Sequence, residues 1–217
     1  MPFGHIVTLF DFTSGLFLKL LLIFLFTINL ISQDDYSFRV AYGQASTKDL
    51  GEILSFDADV HPDDLSVLSL DGGYLLKKDM FDAPFDLYVK GGVSYFDEGN
   101  APTSSAVYEG TAYVKVYWNL DFWENRVRVG LGEGLSYTTD VLWSEYKEAT
   151  DEEEDYSKFL NYLDISIDFD LGRLVRYKPL EDTYIGWTIK HRSGVFGLFN
   201  GVNGGSNYNT ISIEHNF

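Results

Sequence analysis

From residue 36 to the C-terminal Phe217, apolar and polar side chains alternate with a period of two, segment after segment. Alternation of this kind is the signature of strands with one apolar and one polar face. In 163–171, Leu163, Ile165, Ile167, Phe169 and Leu171 share one face, while Asp164, Ser166, Asp168 and Asp170 share the other. In 85–95, Phe85, Leu87, Val89, Val93 and Tyr95 oppose Asp86, Tyr88, Lys90 and Ser94. In 107–120, Val114, Val116, Trp118 and Leu120 oppose Glu109, Tyr113, Lys115 and Tyr117. In 126–137, Val127, Val129, Leu131, Leu135 and Tyr137 oppose Arg126, Arg128 and three glycines. The pattern predicts eight strands, at about 36–45, 65–77, 84–95, 106–120, 126–138, 160–171, 183–193 and 206–217. The second is the least regular, broken by Gly72 and Gly73.

Many of these runs reach the ~9–11 residues that a tilted membrane strand requires. Their apolar faces carry rings near the ends, and their polar faces carry mixed charge plus glycine. The fold class this implies is all-β, an eight-stranded antiparallel transmembrane β-barrel, apolar toward lipid and polar toward a packed lumen. The aromatic content, 17 Phe, 15 Tyr and 4 Trp, then has a place in the interfacial girdles of such a barrel. A secreted soluble barrel with the apolar face turned inward is the alternative that alternation alone leaves open. Short turns belong on the periplasmic side and long loops outside. With the N-terminus periplasmic, the outer loops are about 46–64, 96–105, 139–159 and 194–205. The inner turns are about 78–83, 121–125 and 172–182.

Residues 1–32 read as a secretory signal peptide, with residues 33–217 as the barrel. Lys19 precedes a short apolar run, and Ser32 and Gln33 follow it. A retained N-terminal anchor is the alternative. Removing these residues takes away Asp11 and Lys19, so the formal charge of −17 belongs to the mature chain. That acidity would repel a phosphate backbone and argues against nucleic-acid partners. The absence of cysteine excludes thiol nucleophiles, disulfides and thiolate-ligated metals.

The last two strands hold the candidate chemistry. By parity His191 and Ser193 lie on the apolar face with Ile185, Trp187 and Ile189, where an imidazole and a hydroxyl are out of place. Residues i and i+2 are neighbours on one strand face. A histidine so placed can take the proton of the serine, the core of acyl transfer. His-x-Ser spacing alone equally fits an interfacial pair wetted by headgroups.

The segment His191-Arg192-Ser193, then a loop, then Asn203-Gly204-Gly205-Ser206-Asn207 opening the last strand, resembles the lipid A 3-O-deacylase family. Members of that family are eight-stranded outer-membrane barrels that remove an ester-linked acyl chain from lipopolysaccharide. The resemblance is concentrated in residues 191–217. It implies His191 as base and Ser193 as nucleophile on the lipid-facing wall, with Asn203 and the amides of Gly194 and Gly204 around the oxyanion. The family's acidic position falls on Asn207, which can hold the ring's tautomer but brings no charge. Glu214 is the nearest carboxylate in sequence, and parity points it into the lumen. Gly194 stands where the family often has asparagine. Phe196, Leu198 and Phe199 enrich the loop between the motifs, as an acyl-chain wall or as membrane contacts.

The third outer loop carries Glu145, Glu148, Asp151, Glu152, Glu153, Glu154 and Asp155. It reads as a solvated acidic loop. A weaker reading is recruitment of divalent cations that bridge lipopolysaccharide phosphates. His61 and His215 stand alone. The resulting expectation is an outer-membrane esterase acting on lipid A in the outer leaflet of a Gram-negative bacterium. It would need no cofactor and no metal, and a homodimer is possible in such a setting. The alternative is a non-catalytic barrel with a structural or surface-interaction role.

Overall fold

The computed structural model describes residues 35–102 and 106–217, so the leader expected at 1–32 lies outside the described residues. Eight antiparallel strands close into one barrel in sequence order, β1 pairing with β8. They are β1 (Tyr36–Ser46), β2 (Ser66–Lys77), β3 (Phe85–Asp97), β4 (Val107–Phe122), β5 (Asn125–Thr138), β6 (Phe159–Asp170), β7 (Thr183–Ser193) and β8 (Gly205–Asn216). Gly72 and Gly73 do not break β2, which runs through them to a register shift between Leu75 and Lys77. No helix among the described residues is long and apolar enough to cross a membrane.

The barrel is inside-out, which rules out the soluble inversion. Arg39 is 1% exposed while Val93 is 61% and Leu131 57% exposed. Charged side chains at those lumenal positions are stable only because they meet each other. Arg39 bridges Asp71 at 3.3 Å and Asp164 at 2.5 Å, and Lys115 also reaches Asp164. Lys90 pairs with Glu214 at 2.7 Å, so Glu214 does point inward. The Arg128 guanidinium lies over the rings of Tyr117 and Tyr184 at 4.2 and 3.4 Å. Glycine makes room for this crowd: a Cβ at Gly130 would come within 2.5 Å of Lys115 Cε and 2.9 Å of the Tyr117 ring.

The outer surface ends in ring pairs at both rims. Tyr95 and Tyr108 face each other across β3 and β4 with centroids 5.6 Å apart. At the opposite rim, Tyr36 meets Tyr74 at 5.3 Å and Phe85 meets Trp118 at 6.0 Å. Such cross-strand aromatic pairs stabilise neighbouring strands and match the girdle positions of a membrane barrel.

The lumen is not polar throughout. At the long-loop end an apolar plug of Ala45, Leu65, Val67, Phe96, Val107, Leu142 and Tyr208 fills it, with Trp143 packed against it. Several of these residues share the parity of the lumenal charges, so the polar face turns apolar where loops close over the barrel. Three short helices occupy connections: α1 (Leu50–Leu54), α2 (Trp143–Asp151) and α3 (Leu171–Val175). The segment read as a solvated acidic loop therefore contains a helix that buries Glu145 and Ala149, one turn apart. Its first amide, Trp143 N–H, donates to Glu98 Oε2 at 2.6 Å, and its indole N–H donates to Asp63 Oδ2 at 2.8 Å. The first three long loops are thereby tied together above the plug.

Candidate active site

Strand register places the candidate residues in two transverse rows on the outer wall. In the first, Glu133, Leu163, His191, Asn207 and Ser46 follow one another across β5, β6, β7, β8 and β1. In the second, one pleat nearer the long loops, Leu135, Asn161, Ser193 and Gly205 follow one another. Parity in β7 puts His191 and Ser193 outward with Trp187, while Lys190 and Arg192 point into the lumen and are buried.

His191 Nδ1 lies 2.7 Å from Asn207 Oδ1. The protonation pattern follows from the far side of the amide. Asn207 Nδ2 donates to the Lys48 carbonyl at 3.0 Å. A carbonyl only accepts, so the NH2 must face Lys48 and the oxygen must face the ring. The ring therefore donates through Nδ1–H, and Nε2 is left unprotonated as the acceptor. That is the tautomer a general base needs. The Ser193 hydroxyl has no hydrogen-bond partner among the described residues, and its Cα lies ~6.8 Å along the strand from that of His191.

Loops build a cleft of about 830 Å³ over these rows. The first long loop contributes Ser46 to Gly51 and His61, α2 contributes Ser144, Lys147 and Glu148, and the last loop contributes Val195, Phe196, Asn203 and Gly204. Burial lowers the His61 imidazole's proton affinity; its Nδ1 accepts from Asp63 N–H at 3.2 Å. Burial likewise raises the Glu148 carboxyl above the usual range. Glu148 Oε2 accepts at 3.2 Å from the N–H of Gly205, the register partner of Ser193.

Three carboxylates of the acidic segment engage the candidate site, while Asp151, Glu152, Glu153 and Asp155 are exposed as the solvated-loop reading expects. Glu145 Oε1 accepts from Arg192 at 2.7 Å and from Ser206 Oγ at 2.7 Å. Glu154 Oε1 accepts from Asn203 Nδ2 at 3.1 Å, and Ser157 Oγ accepts from Asn200 at 2.9 Å. No group of three or more His, Asp or Glu among the described residues could hold a metal ion.

The sequence-expected oxyanion residues are brought near Ser193 but are partly engaged. Asn203 and Gly204 line the cleft, with the Asn203 amide turned to Glu154. Gly194 N–H donates to Gly204 O at 3.1 Å. The next two residues, Val195 and Phe196, sit at φ 50° and 53°. That conformation is costly for a β-branched or bulky side chain and tends to mark a functional loop. Their N–H groups, and that of Gly204, have no acceptor among the described residues. Consecutive amides in such a turn form a small anion-binding concavity. Phe196 is almost wholly exposed beside them.

Glu133, Asn161 and Lys48 are additions that sequence reading did not single out. Glu133 was legible: it is a carboxylate on the parity of Val129, Leu131 and Leu135. Asn161 donates through Nδ2 to Glu133 Oε1 and, at 3.2 Å, to Gly134 O.

No protein-family model matches this chain, and no curated protein matches it. Solved structures similar in fold include two barrels. The crystal structure of the outer membrane enzyme PagL aligns with a TM-score of 0.59 at 10% identity, covering 83% of this chain and 99% of that one. This is the fold of an eight-stranded outer-membrane barrel. The crystal structure of Neisserial surface protein A (NspA) aligns with a TM-score of 0.47 at 10% identity, over 85% and 98% of the two chains. The His191–Asn207 row lies on the outward face of the barrel wall, with the cleft at the long-loop end.

Proposed function

We propose that this chain is an outer-membrane esterase that removes an ester-linked acyl chain from a glycolipid of the lipid A class. The observation that carries this reading is the His191 Nδ1–Asn207 Oδ1 bond of 2.7 Å, which leaves Nε2 free on the same outward face as Ser193. A lipid-facing imidazole held in its basic tautomer beside a free hydroxyl has no use in a purely structural wall.

The mechanism follows from the positions. His191 Nε2 removes the Ser193 proton as Oγ attacks the ester carbonyl. The oxyanion is met by main-chain amides of the last loop, with Val195 and Phe196 N–H the uncommitted donors nearest the nucleophile in sequence. The imidazolium then protonates the leaving sugar oxygen, and water releases the acyl group by the reverse steps. The acyl chain stays in the membrane against the partly exposed Leu163 and Trp187, so only the ester enters the polar cleft.

The test is fatty-acid release from purified lipopolysaccharide in mixed micelles, comparing wild type with Ser193→Ala. Release by wild type alone supports the reading. Equal release from both overturns Ser193 as the nucleophile, and release from neither returns the protein to the class of non-catalytic barrels.

A further inference from the structure

Among the described residues, Glu133 is the one charged side chain on the outward faces between the strand ends. An ionisable group on a lipid-facing wall is expensive and marks function. It lies in the same transverse row as His191, two strands away with Leu163 between them, at ~9.6 Å between Cα atoms. Both side chains line the same cleft. Its direction is fixed: Asn161, the register partner of Ser193, donates to it from the β6 side. The carboxylate is thus drawn toward the site, and it lines the same cleft.

We propose that Glu133 is a positioning residue that supplies the negative charge the orienting position 207 lacks. Asn207 fixes the tautomer of His191 from one side. Glu133 stabilises the imidazolium from the other side, through space, at the edge of the low-dielectric membrane where Coulomb attraction is strong. Orientation and charge, usually joined in one carboxylate, are divided here between two residues flanking one ring. The other charged groups on the cleft are Lys48 and Asp49 of the first loop and Lys147, Glu148, Asp151 and Glu152 of α2 and its end. They sit in the water-facing loops, where screening weakens them.

This inference rests on the esterase reading for its purpose, but its physical content is separately measurable. The experiment is an NMR pH titration of the His191 ring in isotope-labelled protein folded in detergent, its signal assigned by loss in His191→Asn. Removing an anion disfavours the protonated ring, so Glu133→Gln is expected to lower the His191 midpoint by about one pH unit. The neutral amide is easier to place against lipid than a carboxylate, so folding of this variant is not at risk. Turnover of a p-nitrophenyl acyl ester in the same detergent should fall in Glu133→Gln, and adding Asn207→Asp should restore both turnover and midpoint. An unchanged or raised midpoint overturns the proposal. If the midpoint falls but wild type shows no Ser193-dependent hydrolysis, the charge coupling stands and the esterase reading fails.

Discussion

His191 and Asn207 face each other in register across β7 and β8, and their side chains join at 2.7 Å while the same amide holds the Lys48 carbonyl at 3.0 Å. Asn207 is therefore a two-way tie between the ring and the first long loop. A carboxylate in its place would accept from the ring but would have nothing to donate to Lys48. Asn207→Ala is expected to cost at least about tenfold in ester turnover, because the tautomer is no longer fixed. It should also speed proteolysis within residues 47–58. Asn207→Asp should keep turnover and share only the proteolytic sensitivity. Limited digestion beside a hydrolysis assay separates the two effects.

The tie between α2 and the second loop depends on pH. Burial raises the Glu98 carboxyl to about 7 from an ordinary 4.5, and burial raises Glu145 in the same direction. A carboxyl with a raised folded value favours the closed loops fully below about 4.5 and loses that contribution as pH rises through 7. Protection of the α2 amides against hydrogen exchange, corrected for intrinsic rate, should therefore increase as pH falls from 8 to 5. Glu98→Gln should flatten most of this dependence. Protection that declines with falling pH in wild type would contradict the assignment.

Glu145 is the anchor of the acidic helix. Glu145→Ala leaves the buried Arg192 without its 2.7 Å partner, although Glu109 remains 3.6 Å away. The expected loss is roughly 3 kcal/mol, the low end for breaking a buried pair. Chemical denaturation in detergent micelles measures it. A change below about 0.5 kcal/mol would return this segment to the status of a solvated loop.

Adjacent glycines in the last motif should respond differently. A Cβ at Gly205 would sit 1.9 Å from the Arg192 carbonyl, a backbone atom in the opposite strand. A Cβ at Gly204 meets the Glu148 carboxylate, 2.9 Å from its carbon, which can swing away. Gly205→Ala is expected to lower both barrel stability and turnover, whereas Gly204→Ala should leave the barrel intact and disturb only the cleft. Heat-modified mobility on gels and the hydrolysis assay report the two properties.

The outward rows can be tested without any chemistry. Leu131 is 57% exposed in the middle of β5. Leu131→Arg should destabilise the barrel in a bilayer by about 2–4 kcal/mol, as for a cation near the midplane of a membrane strand. An effect near zero would mean that this face meets water.

The barrel was legible because a period of two, repeated eight times, leaves few other folds, and the mid-strand charges of the lumenal parity, among them Arg39, Lys115, Asp164 and Glu214, are buried as the pattern requires. The His191, Ser193 and Asn207 constellation was legible for the same reason: polar groups on an apolar parity are misplaced unless they are used. Glu133 carries the identical signal, a carboxylate on the apolar parity of Val129, Leu131 and Leu135, flanked by glycines on the other face. The acidic segment was not legible. Glu145, Glu148 and Glu154 owe their roles to partners 47 to 61 residues away in sequence, and a local charge run says nothing of such contacts. The apolar plug was hidden likewise, since Val67, Phe96 and Tyr208 become core only when loops cover them.

The most direct measurement is mass spectrometry of lipid A from Gram-negative cells expressing wild type or Ser193→Ala, with both proteins shown to be folded in the outer membrane. The expected result is the loss of one ester-linked acyl chain in cells carrying wild type and an unaltered spectrum with Ser193→Ala. Identical spectra from the two strains would contradict the assignment of Ser193 as a nucleophile acting on this lipid.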